Sequence, residues 1–406
     1  MDRRLLLKLM TASAALSACG SREEASGRRV AIVGGGIVGA SIAYHLARGG
    51  ANVTLCERTA LAARASRGTF AWVNATWAKQ PQTYHQLNQR GVAGWGALQE
   101  ALSLPIVWGG SLEWFETSER QARLADQIDE QAAWGEPARM VRSPELATLE
   151  PNINFQGADS VAFSPNDGAL DPVLATQRLA EKAATYGATI KTNCTVESLR
   201  EQKGGRLILN TSAGDVKADH VVLATGADTD APLTLGGVNI PQRTTPGVIV
   251  ITKPHPMLIN RVIAAPGVHL HQRRDGRIVI GEQEGPPDNE AHMQRLAGRP
   301  TSFPYEAIEK QHANRLLRAA IQFVPEMKNA EIDDIYIGWR PLPVDGHPVI
   351  GPSPARPNVY FAIMHSGVSL APIVGELATQ EILTGEIAPA LEAYRADRTF
   401  NSVKRY

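Results

Sequence analysis

Cysteine is scarce in this chain, neither sign of charge is in excess, and no segment repeats or falls to low complexity. Three cysteines among 406 residues, Cys19, Cys56 and Cys194, are too few and too scattered for a disulfide framework or a zinc site. Lysine and arginine total 41, as do aspartate and glutamate. The chain therefore has no basic footprint for nucleic acid and no bias towards an acidic partner. The early apolar stretch, roughly 16 residues long and carrying Lys8, is shorter than the ~20 that span a bilayer. What remains is an ordinary globular composition, 43% hydrophobic and 20% charged, long enough for two or three folding units.

The first twenty residues read as an address. A basic start, a short apolar run and a small-residue end are the marks of an export signal. Asp2 to Lys8 resembles the twin-arginine signal, which directs folded proteins across a membrane. Leu16-Ser17-Ala18-Cys19 resembles a lipobox, whose cysteine is acylated and becomes the new N-terminus. The polar stretch that follows reads as a tether. The expectation is an export signal over 1–19 and a linker over 20–28. The mature chain would be anchored through Cys19 on a membrane surface facing the periplasm. Gly20, where an aspartate would retain a lipoprotein, favours the outer membrane.

From Val30 the pattern changes. Val30 to Val33 is a short β-branched run, Gly34-Gly35-Gly36-Ile37-Val38-Gly39 follows at once, and Ala40 to Ala47 has helical spacing. Gly49-Gly50 ends that helix, and Asn52 to Glu57 reads as a second strand. Gly34 serves the tight turn, Gly36 the approach of backbone to a pyrophosphate, and Gly39 the packing of helix on strand. The helix N-terminus offers unpaired N–H groups to phosphates. Glu57, 18 residues beyond Gly39, suits the hydroxyls of a ribose. This is a dinucleotide site, and by itself it leaves FAD and NAD both open. A protein that holds such a cofactor must fold around it in the cytoplasm, which agrees with the folded-protein export route.

Later segments complete the pattern. Val221 to Leu223 runs into the small-residue turn Ala224-Thr225-Gly226-Ala227, which lets backbone approach a ligand. Gly338-Trp339-Arg340-Pro341, Asp345 to Gly351 and Met364 to Pro372 form a glycine-punctuated series, the last leading into a helix over Ile373 to Leu383. On the N-terminal fingerprint, the Ala224-Thr225-Gly226 turn, the Gly-x-Arg-Pro element and the Ser-Gly-x-x-Leu-Ala-Pro element, the chain resembles the D-amino-acid oxidase family of FAD enzymes, which includes glycine oxidase and sarcosine oxidase. The resemblance covers Arg29 to about Arg398.

The resemblance implies a Rossmann-like α/β domain for FAD, built from 29–83, 151–236 and 340–398. An α+β substrate domain with an antiparallel sheet would come from 84–150 and 237–339. Ile37 and Val38 would lie along the pyrophosphate turn, and Glu57 and Arg58 at the adenosine ribose. Val196 would meet the adenine through its backbone, with Gly226 at the second glycine turn. Ala65, Ser66, Phe70, Ala71 and Trp72 would line the approach to the flavin ring, and His365, Ser366, Gly367 and Val368 would border it. Some members of the resembled family attach flavin covalently through a cysteine in the C-terminal half or a histidine after the second strand. Here no cysteine follows Cys194 and Ser66 to Phe70 contains no histidine, so the resemblance implies non-covalent FAD.

On the substrate side, Gly247 to Thr252, Gly267 to Gln272 and Arg277 to Gly281 read as strands of an antiparallel sheet, with Asp275-Gly276 as a hairpin turn. Arg340 is expected to hold a substrate carboxylate, since a guanidinium fork makes two parallel hydrogen bonds to one. His365, where glycine oxidase has a different polar residue, is expected at the catalytic centre. His269 and His271 alternate and can share a face, but no third ligand is apparent, so no metal is expected. Cys56 and Cys194 read as two buried thiols. Trp72, Trp77, Trp108 and Trp339 have core packing as their default. The reading is an oxidoreductase acting on the C–N bond of an amino acid or N-alkyl amino acid. Oxidation of a hydroxy acid, and a non-catalytic flavin-binding surface lipoprotein, are the alternatives. The electron acceptor stays open between oxygen and a quinone.

Overall fold

A computed structural model of the chain describes residues 27–76, 79–282 and 298–403. The export signal, the twin arginines, Cys19, most of the expected linker and Trp77 lie outside the described residues. Arg28, expected in the linker, already belongs to the fold. Its carbonyl accepts from Asn52 N at 2.9 Å and its guanidinium reaches Ile382 O.

Two large sheets organise the molecule. The first has six strands in the order Val349–Pro352, Val359–Ile363, His220–Leu223, Arg29–Val33, Asn52–Cys56 and Thr189–Lys191. All neighbours pair in parallel except the first two, which are antiparallel. Strands buried on both faces read as continuous apolar runs, and Val30 to Val33 is one of them. Alternation assigns their side chains to two cores. Val30, Ile32, Val222 and Ala362 join the core under the Ile37–Arg48, Pro172–Thr185 and Gly367–Thr384 helices. Ala31, Val221, Leu223 and Phe361 point the other way, onto the three-stranded sheet of Val196–Glu201, Leu207–Thr211 and Val216–Ala218.

The second sheet has eight strands in the order Ile332–Arg340, Thr245–Thr252, Ile278–Glu282, Val268–Gln272, Val262–Ala265, Ser111–Glu113, Val161–Ser164 and Arg139–Val141. Its pairs are antiparallel, with one parallel junction between Val262–Ala265 and Ser111–Glu113. The turn at Asp275-Gly276 has Gly276 at φ +86°, and Arg273 N donates to Arg277 O across it. The Glu306–Phe323 helix covers one face, over Val250, Leu270 and Ile280. The opposite face presents Ile249, Ile251 and Val279, with Phe70 and Tyr336 packed on them.

One expectation needs correction. The C-terminal helix runs over Gly367–Thr384 rather than starting at Ile373. Pro372 argues for a later start, because a proline removes the N–H that the carbonyl four residues earlier requires. Here that carbonyl, on Val368, receives the indole N–H of Trp95 at 2.7 Å instead. The stretch 84–150 supplies both helices and strands. Beside Gln82–Ala101 and Ser118–Ala133 it supplies Ser111–Glu113 and Arg139–Val141, strands too short for an alternating pattern to show.

The two halves meet backbone to backbone at Gly68 and Gly338. A Cβ on Gly338 would stand 2.0 Å from the Gly68 carbonyl oxygen, and one on Gly68 would stand 2.4 Å from Gly338 Cα. Gly338→Ala is expected to destabilise the protein by about 1–3 kcal/mol, the usual cost of an overpacked core position. A chemical denaturation midpoint equal to that of the unaltered protein would show that these backbones separate freely.

Candidate functional site

A cavity of about 820 Å³ opens where the parallel strands end. Its walls include Val33, Cys56, Ala224 and Met364, each at or just past the C-terminal end of a parallel strand, where open α/β sheets bind ligands. The inner face of the eight-stranded sheet closes the other side through Gly247, Ile249, His269, Gly281 and Arg340.

The glycine turn is built as its spacing implies. Gly34 has φ +112°, and a Cβ there would lie 2.3 Å from Ala224 O. Gly36 is the N-cap of the Ile37–Arg48 helix and borders the cavity. Gly39 stands behind the wall rather than in it. A Cβ at that position would fall 2.0 Å from Gly34 O, so the helix rests directly on the turn. Ile37 and Val38 line the cavity. The Ile37 amide donates to Ser66 Oγ at 3.0 Å, so Ser66, which lines the cavity, also holds this helix start.

Glu57 lies at the end of the second strand and is already held. Its Oε2 accepts from Gly35 N at 2.7 Å, and its Oε1 accepts from Thr59 N at 2.9 Å. A carboxylate has about four acceptor positions, so capacity is left for a ribose hydroxyl. Arg58 pairs with Asp228 at 3.8 Å, tying this segment to the turn around Gly226. Gly226 has φ +60° with open space where a Cβ would project. Val196 and Ala65 both line the cavity. Cys56 and Cys194 are free, buried and adjacent. Burial, then the neighbouring Cys194, pushes the Cys56 thiol up to about 12, which makes it inert.

At the other end, Phe70, Ala71 and Trp72 line the wall with His365, Ser366, Gly367 and Val368. Ser366 takes a left-handed conformation at φ +59° just before the helix, and His365 Nδ1 lies 3.1 Å from its Oγ. Gly367 starts the helix within 3.1 Å, at its would-be Cβ, of Val38. The two helix N-termini therefore open on one space, which fits an extended dinucleotide carrying phosphates at one helix and a ring at the other.

Arg340 is the last residue of its strand and reaches the cavity. Nη1 donates to Pro246 O at 2.9 Å, and a Cβ on Gly247 would come within 2.8 Å of Nη2. Gly247, not singled out by sequence, is thus the room in which the guanidinium lies. His269 and His271 do share a face, both against Phe70, with ring centroids 5.4 and 4.8 Å away. Burial, then the charge of Arg340, lowers His269 to about 3; burial, then Arg273, lowers His271 to about 3. Both rings are neutral at ordinary pH. His271 Nε2 lies 2.9 Å from Phe70 O. Among the described residues no three His, Cys, Asp or Glu side chains gather as metal ligands do.

Asp167 is silent in the sequence, where an isolated aspartate in a loop carries no signal. It is buried, and its Oδ2 accepts from Trp72 Nε1 at 2.9 Å, from Ser111 Oγ at 2.7 Å and from the Thr76 hydroxyl. It fixes the indole that faces the cavity. Burial outweighs these hydrogen bonds and pushes its carboxyl up to about 6.

A family model described as FAD dependent oxidoreductase (DAO) matches residues 29–381. Glycine oxidase of Bacillus licheniformis is 26% identical over 90% of this chain and 96% of its own length. A component of the opine oxidase of Agrobacterium tumefaciens is likewise 26% identical, over 90% of this chain and 96% of its own. The crystal structure of glycine oxidase from Geobacillus kaustophilus superposes with a TM-score of 0.79 at 23% identity, covering 92% of this chain and all of that one.

The Asp167 carboxyl makes stability depend on pH. Its folded value of about 6 lies above the ordinary 3.8, so the folded state holds a proton that the unfolded chain releases. The stabilisation is complete below about 3.8 and is lost as pH rises through about 6, by about 3 kcal/mol in all. Asp167→Asn removes this slope. The stability of the unaltered protein relative to the variant is expected to fall between pH 4 and 7, measured by urea denaturation. Parallel pH profiles would refute the assignment.

Proposed function

The chain belongs to the DAO family of FAD-dependent oxidoreductases, and on that premise we propose that it oxidises the C–N bond of an amino acid or N-alkyl amino acid held through its carboxylate by Arg340. The observation that carries the reading is the guanidinium at the end of the Ile332–Arg340 strand. It is seated over Gly247 and opens on the cavity that the Gly367 helix start also borders. Relatives named for glycine and for opines support the substrate class. FAD is the cofactor, and in this reading it is held without a covalent bond.

FAD, when bound, would supply the two-electron acceptor, its flavin N5, for the hydride of the substrate Cα. The residues of this chain do the rest. Arg340 binds both carboxylate oxygens and fixes the Cα by a charge-assisted fork. Phe70 and Trp72 exclude water from one side of the cavity. His365, beside the helix start, takes the proton that a substrate ammonium must lose before its C–N bond is oxidised. The imine product then hydrolyses in water. Such chemistry asks for orientation and desolvation more than for a strong base. The mature chain works at a periplasm-facing membrane surface, anchored by acylation of Cys19 after export in the folded state. The motifs of residues 2–8 and 16–19 support that placement.

Arg340→Ala should keep FAD yet weaken substrate binding at least ~100-fold, as removal of one partner of a buried ion pair does. Anaerobic stopped-flow reduction of the flavin by a panel of amino acids and hydroxy acids measures it. Unchanged substrate affinity sinks the carboxylate assignment, and bleaching by hydroxy acids alone replaces the C–N bond with a C–O bond. For the anchor, cells fed labelled palmitate should mark the unaltered chain and leave Cys19→Ser unlabelled in the soluble fraction. Equal labelling of both overturns the lipobox.

A further inference from the structure

In an α-helix each carbonyl accepts from the N–H four residues on. Within the Gly367–Thr384 helix the partner of the Val368 carbonyl would be residue 372, and Pro372 has no N–H. The carbonyl is nonetheless satisfied, by the Trp95 indole N–H at 2.7 Å. Trp95 is fully buried, on the neighbouring Gln82–Ala101 helix. That helix lies closely on this turn. A Cβ on Gly91 would stand 2.2 Å from Ser369 O, and one on Gly94 would stand 2.6 Å from Pro372 Cβ. The same turn is held from the other side, where Ser369 Oγ accepts from Asn74 N at 3.0 Å. Gly367, Val368 and Ser369 all face the cavity.

We infer that Trp95 is a positioning residue for the cofactor, its indole N–H replacing the backbone donor that Pro372 lacks and so fixing the helix turn that faces the flavin. Packing alone would ask only for a large apolar ring at position 95. The orphaned carbonyl asks for a donor, and asks for it only while residue 372 is proline. This rests on FAD binding and is independent of the substrate proposed above.

The test uses Trp95→Phe, Pro372→Ala and the double variant, each purified with FAD. The readouts are the affinity of the apoprotein for FAD, the flavin midpoint potential and the affinity for sulfite, whose adduct reports how well the site supports negative charge on the ring. Trp95→Phe is expected to weaken FAD and sulfite binding about tenfold and to lower the potential, in proportion to one buried hydrogen bond. Pro372→Ala alone should stay close to the unaltered protein. In the double variant the backbone N–H restored at position 372 meets the Val368 carbonyl, and most of the loss should be recovered. Should Trp95→Phe fail to fold, the double variant is expected to fold and to be yellow. A Trp95→Phe protein with unchanged potential and affinities overturns the inference, as does a double variant no better than Trp95→Phe or equally colourless.

Discussion

The architecture depends on two helices from opposite ends of the chain starting at the same place. Ile37–Arg48 and Gly367–Thr384 pack so closely that a Cβ on Gly375 would fall 2.5 Å from Ser41 Oγ, and that hydroxyl donates to Ala371 O at 2.6 Å. At their N-termini Gly367 leaves room for Val38, and Gly39 rests on the Gly34 carbonyl. Neither helix has an acidic residue in its first turn to cancel the partial positive charge there. The result is one concave space with two sets of backbone donors, suited to a ligand with phosphates at one point and developing negative charge at another.

The second sheet closes this space on its other side. Its edge strand pairs Arg340 opposite Thr245, which lays the guanidinium over Gly247 rather than into solvent. The two histidines on the Val268–Gln272 strand, His269 half-buried and His271 buried, are both neutral, so Arg340 supplies a fixed charge to which they add none. The aromatic wall of Phe70 and Trp72 is held from behind, by His271 at the Phe70 carbonyl and by Asp167 at the Trp72 indole. The charge and the aromatic wall at this end of the cavity are thus set on strands and held from behind, the arrangement that precise alignment over a cofactor requires.

Much of this is legible in the sequence because the dinucleotide motif is local. Val30 to Glu57 places strand, turn, helix and acid within thirty residues, and each glycine has a backbone reason that can be stated without coordinates. What escapes reading is set by contacts between distant segments. Pro372 reads as a helix breaker until Trp95, 277 positions earlier, is seen to supply the missing donor. Asp167 reads as a loop residue until Trp72, Thr76 and Ser111 converge on it. Ser66, expected along the approach to the ring, lines the cavity and also holds the start of the first helix through the Ile37 amide, a contact between segments the sequence does not announce. Strands as short as Ser111–Glu113 carry too few alternations to announce themselves.

By itself the sequence determined the nucleotide-binding unit, its acid, the glycine turns and the arginine before Pro341, because each depends on backbone conformations that only certain residues adopt at fixed short spacing. Tertiary structure decided how Arg340 is oriented, which indole is held by a buried carboxyl, and where the last helix starts. Those outcomes turn on which distant group fills an orphaned hydrogen bond or a missing side chain's volume, and only the folded chain brings such partners within reach.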